Sequence, residues 1–440
     1  MSSRKLRILY YVESLGLGGA NQTTLTVARE MKARGHHVVF ASDGGPLLGR
    51  LTEKSIPHVP VRTDARHPSW SAAATLVRAV RQHAVDLVCP NGFDCTLDAI
   101  PCGLLTGAPL LPTYGGLVTP PYPHPWLPRV NVFSRELAAD LISHHRWNPS
   151  TFRNLIARID GERFRPGVDA GPFRRELGID REAPLVLMVC RQDSTKLRGV
   201  MVLLDAVTEI RNALPEARIV ILGDGDRRER ILDRIRRIHE ASGEPFVIAP
   251  GSTTNTPAAF ASADVVVANG ARSALEAMAC GRPVVSVGPN GFDGVFSPET
   301  IEGFRRFNYD KGRLAGNPLG DHRSLARAVV RILRDSGLRR ELGEFCEDYA
   351  RGHLIIQTTA ADYENLYRET IADPWGSGGG RLRVLVDWVA VLARFYAHRL
   401  GRRWASRAGK GAVPITERLI PPPPGVDPDW KVGLADESDR

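Results

Sequence analysis

Short runs that are apolar but for a residue at or near one end recur along this chain, each followed by a longer segment whose apolar residues return every three or four positions. Residues 6–12, 38–42 and 86–89 are runs of the first kind; 20–34 and 71–83 are segments of the second. A wholly apolar run predicts a strand buried on both faces, and the wider spacing predicts an amphipathic helix. Their alternation predicts a parallel sheet with helices on both sides. Gly103 to Pro128, rich in Gly, Pro and Tyr, breaks the pattern and is expected to form loops over the sheet edge. A strand resumes at Asn131–Ser134, followed by a helix through His144.

The alternation stops around Ile159–Pro166 and starts again at Leu185. Strands are expected near 185–190, 218–222, 246–249, 264–268 and 283–287, with helices at about 199–213, 226–241, 256–262, 271–280 and 322–334. The chain therefore reads as α/β, with two doubly wound Rossmann-like domains facing a central cleft, the preferred place for a small ligand. The expected divisions are 1–165, 166–355, a helix at 356–373 and an appended segment at 374–440, with the interdomain linker near 160–180.

The appended segment differs in character. Trp375–Gly380 reads as a flexible linker. Beyond it Leu382, Leu385, Val389, Leu392, Tyr396 and Leu400 recur at helical spacing, with Arg383, Asp387, Arg394, His398 and Arg402 on another face. The arginine-rich end, 399–407, precedes a run of prolines at 421–424 and a polar tail expected to be disordered. Two readings stand for this helix: it lies on an anionic membrane surface through 381–407, or it docks on its own domain or a partner subunit.

Composition narrows the class. With 440 residues, 43% hydrophobic and 24% charged, the chain can form two domains with a sizeable core. The net charge of +9 suits an acidic partner or surface, such as nucleotide phosphates, nucleic acid or anionic lipid. The basic residues are dispersed and form no stacking platform with aromatics, so nucleic acid is not an expected partner. Six cysteines show no CxxC pair and no zinc spacing, and are expected to be buried free thiols in a reducing cytoplasm. The apolar run Ile8–Val12 is too short for a signal peptide, and no stretch approaches the roughly 18 apolar residues of a membrane span. A cytoplasmic protein is the expectation, either soluble or, where the last helix takes the membrane reading, peripheral at the inner face of the cell membrane.

The segment richest in chemistry is Ser273–Ser286, SALEAMACGRPVVS. It follows the apolar run Ala263–Ala268 and has helix-forming composition to Cys280, where Gly281 ends it before the next strand. In open α/β sheets ligands gather at the carboxyl ends of strands, against outward-facing helix N-termini. Asn269, Gly270, Arg272 and Ser273 are placed where a phosphate meets free backbone N–H groups, and Glu276, one turn further in, can reach a sugar hydroxyl. The plain alternative is an ordinary strand–helix–strand with a surface Glu.

The segment EAMACGRPVV resembles the donor-binding motif of nucleotide-sugar glycosyltransferases of the GT-B fold, especially retaining family 4 (group 1). Three further blocks agree in the family's order: Leu15–Asn21 (LGLGGAN), Cys190–Lys196 (CRQDSTK) and Ile219–Gly225 (IVILGDG). The likeness covers roughly residues 5 to 370. It implies an N-terminal acceptor domain, a C-terminal donor domain and a last helix that packs back onto the first domain.

The resemblance assigns roles residue by residue. Arg191 and Lys196 match the family's Arg–x4–Lys pair on the donor diphosphate and are the candidate catalytic residues, since they would neutralise the leaving group. Read alone, they are also what a solvated basic loop looks like. Glu276 matches the second Glu of the paired-Glu motif, which accepts hydrogen bonds from the nucleotide ribose. Ser273, Gly270 and Arg272 would cradle phosphate. Gly223 and Gly225 would allow close backbone approach, or simply make a tight strand–helix turn. Gly18 and Gly19 match the glycine-rich loop of the first domain, with Asn91 at a neighbouring strand end. A dinucleotide fingerprint competes there, because Asp43 follows the second strand, but the third glycine of G-x-G-x-x-G is missing.

Two departures from the family pattern stand out. The first Glu of the pair falls at Ala268, and the expected histidine of the first domain is replaced by Pro90-Asn91-Gly92 or Thr113–Gly116, with Asn91 or His124 as substitutes. The expected function is transfer of a sugar from a nucleoside-diphosphate donor to a glycan or lipid-linked acceptor, with retention, in cell-surface polysaccharide or glycolipid synthesis. A nucleotide-sugar epimerase of the same fold and a non-catalytic transferase-like scaffold are the alternatives. No bound cofactor is expected, because the nucleotide sugar is a substrate, and no metal site is picked out.

Overall fold

The computed structural model describes residues 4–63, 68–115, 126–145, 147–288, 291–310, 321–376 and 380–407. The chain divides into two compact units, one of residues 1–158 and 360–440 and one of 159–359.

The first unit contains β1 (Arg7–Tyr11), α1 (Gly19–Ala33), β2 (His37–Ser42), α2 (Gly49–Thr52), β3 (His58–Pro60), α3 (Trp70–Gln82), β4 (Leu87–Pro90) and α4 (Phe93–Thr106). It continues through β5 (Thr113–Tyr114), β6 (Val130–Val132), α5 (Arg135–His145) and β7 (Phe152–Arg153). The principal sheet is parallel in the order β3-β2-β1-β4, and β5-β6-β7 form a second parallel sheet. Strand β1 is apolar because both its faces are covered; Ile8, Leu9 and Tyr11 are fully buried. Chain order reverses between β1 and β4, so the loops after these two strands meet at a topological switch point.

The second unit holds α6 (Gly171–Glu176), β8 (Leu185–Val189), α7 (Leu197–Ala213), β9 (Arg218–Leu222), α8 (Arg228–Ser242), β10 (Val247–Gly251) and α9 (Thr256–Ser262). Then come β11 (Val265–Ala268), α10 (Ala271–Ala279), β12 (Val284–Gly288), β13 (Gly291–Val295), α11 (Ile301–Arg306), α12 (His322–Arg334) and α13 (Ser336–His353). Its sheet order is β10-β9-β8-β11-β12-β13, parallel except for the antiparallel edge β13. The switch point lies between β8 and β11, which pair through Val265–Val186 and Val266–Leu187. The core is the aliphatic interior of this sheet with α7 and α12 against one face, including Val186, Val200, Leu203, Val267 and Val329.

The last two helices are α14 (Ile356–Ala372) and α15 (Gly380–Arg407). In the first unit, the Tyr367 hydroxyl on α14 meets that of Tyr10 on β1 at 2.9 Å, and Glu364 binds both Arg34 and His36.

Several expectations are corrected. Gly103 lies inside α4 rather than opening a loop, and β5 follows at Thr113. Residues 116–125, including His124, lie outside the described residues. The unit boundary falls at Arg158/Ile159, and the expected linker 160–180 contains helix α6. The presumed linker residue Trp375 packs on the first unit's core, while 377–379 lie outside the described residues.

The face of α15 differs too. Val384, Trp388 and Val391 dock on the first unit, and Trp388 meets Trp70 edge to face with ring centroids 5.7 Å apart. Of the predicted apolar stripe, Leu382, Leu385, Val389 and Tyr396 are exposed, Leu392 packs against the core, and the Leu400 side chain lies outside the described residues. The polar tail 408–440 and the side chains of the arginine-rich end lie outside the described residues. No described helix is long and apolar enough to cross a membrane. All six cysteines are free, and burial raises their thiols, those of Cys102, Cys190, Cys280 and Cys346 to about 12.

Candidate active site

At the second unit's switch point two loops converge. The loop after β8 carries Arg191 and Lys196, and the one after β11 carries Asn269 and Gly270 into α10. Asn269, nearly fully buried, donates from Nδ2 to the Lys196 carbonyl at 2.8 Å and locks one loop to the other. The lock requires glycine at 199, where a Cβ would stand 2.6 Å from Asn269 Oδ1.

Gly270 precedes the first turn of α10 with φ 122°, a backbone that favours glycine. A side chain there would meet the Lys196 ammonium at 2.7 Å. The Lys196 Nζ therefore lies over the start of α10, where unpaired backbone N–H groups and the helix dipole also favour an anion. Arg191 is more exposed and pairs with Asp193 at 3.2 Å. Burial acts to raise the Asp193 carboxyl, but the Thr195 hydroxyl, the Arg191 charge and backbone N–H groups together hold it below the ordinary range.

One turn into α10, Glu276 is buried and accepts from Arg272 Nε at 2.7 Å. The i, i+4 spacing places both on one face of the helix. The Ser273 hydroxyl donates to the Gly270 carbonyl at 3.1 Å, fixing the turn. Ala268, 1% exposed, ends β11 beside Ser286 of β12, without a polar group to offer.

Gly223 is a point of close backbone approach. With φ 132°, its missing Cβ makes room for the Cys190 carbonyl, 1.8 Å from where a Cβ would be, and Gly225 does the same for the Gln192 carbonyl at 2.5 Å. These glycines let the loop after β9 pack backbone to backbone on the Arg191 loop, so they shape the site from behind. Gln192 is fully buried beneath, with neither side-chain amide atom hydrogen-bonded to protein. Asp226 of the Asp224-Gly-Asp226 step pairs with Arg227, and among the described residues no three His, Cys, Asp or Glu groups converge as a metal cluster would.

One residue of the site escaped the sequence reading. Asp310 follows α11 and reaches Lys196, Oδ2 to Nζ, at 3.5 Å. Two non-glycine residues in left-handed backbone precede it, Asn308 at φ 52° and Tyr309 at φ 59°. Such residues cost on the order of 1–3 kcal/mol each and persist only where the surroundings fix them. Tyr309, wholly buried, is held by a tilted ring contact with Phe296, centroids 6.3 Å apart, and by a 2.9 Å hydroxyl contact with Tyr349.

In the first unit, Gly18 and Gly19 open α1 after β1, and Asn91 ends β4, so all three lie at that unit's switch point. The Asn91 amide donates to Thr24 Oγ1 of α1 at 2.7 Å. Beside it is a cavity of about 20 Å³, room for about one water, lined in part by Tyr10, Thr24, Asn91 and Tyr367. Gly18 has nothing within 4 Å of a notional Cβ. His36 and His58 of this unit are engaged with Glu364 and Ser42.

The glycosyltransferase resemblance extends beyond motifs. A sequence model described as "Glycosyl transferases group 1" matches residues 183–335, and one described as "Glycosyltransferase Family 4" matches 17–148. Together they take in well over half of the chain, one per unit. The chain belongs to glycosyltransferase family 4, group 1.

Among family relatives, the D-inositol 3-phosphate glycosyltransferase of Mycobacterium leprae is 29% identical over 299 residues, 64% of this chain. The match spans 62% of that relative's length. Solved structures share the fold. A glycosyltransferase from Rickettsia africae superposes with TM-score 0.68 at 17% identity, over 84% of this chain and 99% of that one. Anabaena Alr3699/HepE, in complex with UDP and glucose, gives 0.65 at 16% identity over 82% and 99%. At such identity the likeness is one of fold, and it places this family 4 chain in the GT-B class of two Rossmann-like domains.

Proposed function

We propose that the chain transfers a sugar from a nucleoside diphosphate to a hydroxyl of a glycan or lipid-linked acceptor, with retention at the anomeric carbon, in synthesis of a cell-surface polysaccharide or glycolipid. The observation that carries this reading is the Lys196 ammonium held over Gly270 at the start of α10, six residues before the buried Glu276. This arrangement suits a diphosphate followed by a ribose. Lys196, with Arg191 swinging from Asp193, stabilises the charge that grows on the leaving diphosphate. Glu276 accepts from the ribose hydroxyls, and Arg272 orients its carboxylate. In a front-face retaining reaction the bond from the anomeric carbon to the departing phosphate breaks as the acceptor oxygen bonds on the same face. The phosphate oxygen then takes the acceptor proton, so no protein nucleophile is required.

The Anabaena Alr3699/HepE structure holds UDP and glucose, which supports a nucleotide-sugar donor for a chain of the same fold. The Gly18–Gly19 loop and Asn91 are assigned to the acceptor side. The exposed face of α15, with Leu382, Leu385, Val386 and Val389, is assigned to an anionic membrane surface at the cytoplasmic side.

Ala268 in place of the family's first Glu favours a second reading, a transferase-like scaffold that does not turn over. Incubation with labelled nucleotide sugars and a membrane-lipid extract separates the two. Transfer of label, with the donor's anomeric configuration in the product by NMR, supports the enzyme. Donor binding without transfer or hydrolysis favours the scaffold, and release of an epimerised sugar without any acceptor would make it an epimerase.

A further inference from the structure

Ala268 removes a carboxylate from the end of β11, yet the site is not without one. The Asp310 carboxylate lies 3.5 Å from Lys196 Nζ and about 4.0 Å from where a Cβ of Gly270 would stand, two residues beyond Ala268. It arrives from a separate element, the turn after α11. The Tyr309 N–H donates to the Phe304 carbonyl at 2.7 Å, and the Asp310 N–H to that of Phe307 at 3.1 Å. Asn308 and Tyr309 both accept left-handed backbone to make this turn, and Tyr is a residue for which that conformation is an outlier. Both are buried, and among the described residues the Asn308 Oδ1 has no hydrogen-bond partner. Side chains fixed at such cost are pre-organised rather than incidental.

We propose that Asp310 is the sugar-recognising carboxylate of this chain, taking the role left vacant at Ala268 and accepting a hydroxyl of the donor sugar while Lys196 holds the adjacent phosphate. The inference rests on the nucleotide-sugar reading above. A carboxylate fixed beside the phosphate-binding lysine is complementary to a neutral sugar that turns a hydroxyl toward it. It repels an acidic sugar such as a uronate. Asp310 is thereby a specificity-determining residue, and it need not touch the nucleotide.

The test compares UDP, GDP and ADP with their glucose and glucuronate esters, titrated into the full chain and its Asp310→Ala and Asp310→Asn variants, with thermal melts to show that each is folded. For the base that binds, wild type should prefer the glucose ester to the bare diphosphate and to the glucuronate ester. In Asp310→Ala the preference for the glucose ester should fall on the order of tenfold, the scale of a hydrogen bond to a charged group. Affinity for the bare diphosphate should stay the same or rise, because Lys196 loses a competitor. Asp310→Asn should lose discrimination against glucuronate. Ala268→Glu added to Asp310→Ala should restore part of the preference for a sugar ester. Equal tightening of diphosphate and both esters would make Asp310 only a competitor for Lys196, and unchanged ratios in every variant would also overturn the proposal. If wild type binds none of the three diphosphates, the nucleotide-sugar reading fails first, and this one with it.

Discussion

Arg272 and Glu276 form a 2.7 Å ion pair on one face of α10, with side chains only 13% and 8% exposed. A buried pair is weak evidence of net stability, but breaking it leaves an uncompensated charge. Glu276→Leu or Arg272→Leu alone should therefore destabilise the fold by about 3 kcal/mol, and the double variant by much less. Urea unfolding measures this directly. A loss in the double equal to the sum of the two single losses would mean that the pair is not coupled. The double variant should still fail to bind nucleotide, which separates the carboxylate's ligand role from its structural one.

Glycines 18 and 223 should behave oppositely. Gly223→Ala would drive a Cβ into the Cys190 carbonyl at 1.8 Å, from a backbone at φ 132°, and should cost more than about 3 kcal/mol or prevent folding. Gly18→Ala meets no atom within 4 Å and has an ordinary φ of −63°, so its stability should stay within about 0.5 kcal/mol of wild type. Any loss of transfer activity in Gly18→Ala then reports ligand contact. A Gly18→Ala protein that unfolds early would show that the loop is packed in a way this structure does not have.

The α14 carboxylate Glu364 gives the first unit an acid-sensitive contact. A hydrogen bond from Arg34, with a second from His36 and against the opposing effect of burial, lowers its pKa to about 2 from 4.5. Because the folded value is the lower one, the stabilisation is complete above about pH 4.5 and is lost as pH falls through about 2. Glu364→Gln should lose about 1 kcal/mol at neutral pH, allowing for solvent screening, and its stability should converge on wild type near pH 2. A constant difference from pH 7 to pH 2 would show that another interaction is responsible.

The two apolar sides of α15 should separate by substitution. Trp388→Ala removes a buried side chain and should destabilise the first unit by about 3 kcal/mol. A Leu385→Ser and Val389→Ser pair alters only exposed positions and should leave the melting temperature nearly unchanged. If this face meets lipid, the pair should weaken co-sedimentation with phosphatidylserine vesicles severalfold. Undiminished vesicle binding would assign that face elsewhere.

The parallel strands were legible because strands covered on both sides must be apolar throughout, as in LVLMV of β8 and VVVA of β11. The same patterning put Arg191, Lys196 and Glu276 after or just beyond strands β8 and β11, where the structure has them. Only the last turn of α4 was taken for loop, because Gly103 opens a Gly- and Pro-rich stretch, whereas burial of Cys95 to Gly103 overrides its poor propensity. In α15 apolar residues occur around the whole helix, so spacing alone could not say which stripe docks. Asp310 left no signal: its position depends on left-handed Tyr309, a conformation that tertiary packing imposes and no local composition announces.

The central claim is a nucleotide site on the second unit, at the ends of β8 and β11. Calorimetric titration of UDP, GDP and ADP into wild type, Lys196→Ala and Glu276→Ala tests it most directly. Micromolar binding of one nucleotide, weakened at least tenfold in both variants while each remains folded, is the predicted result. Binding that survives both substitutions, or no binding of any of the three, would contradict it.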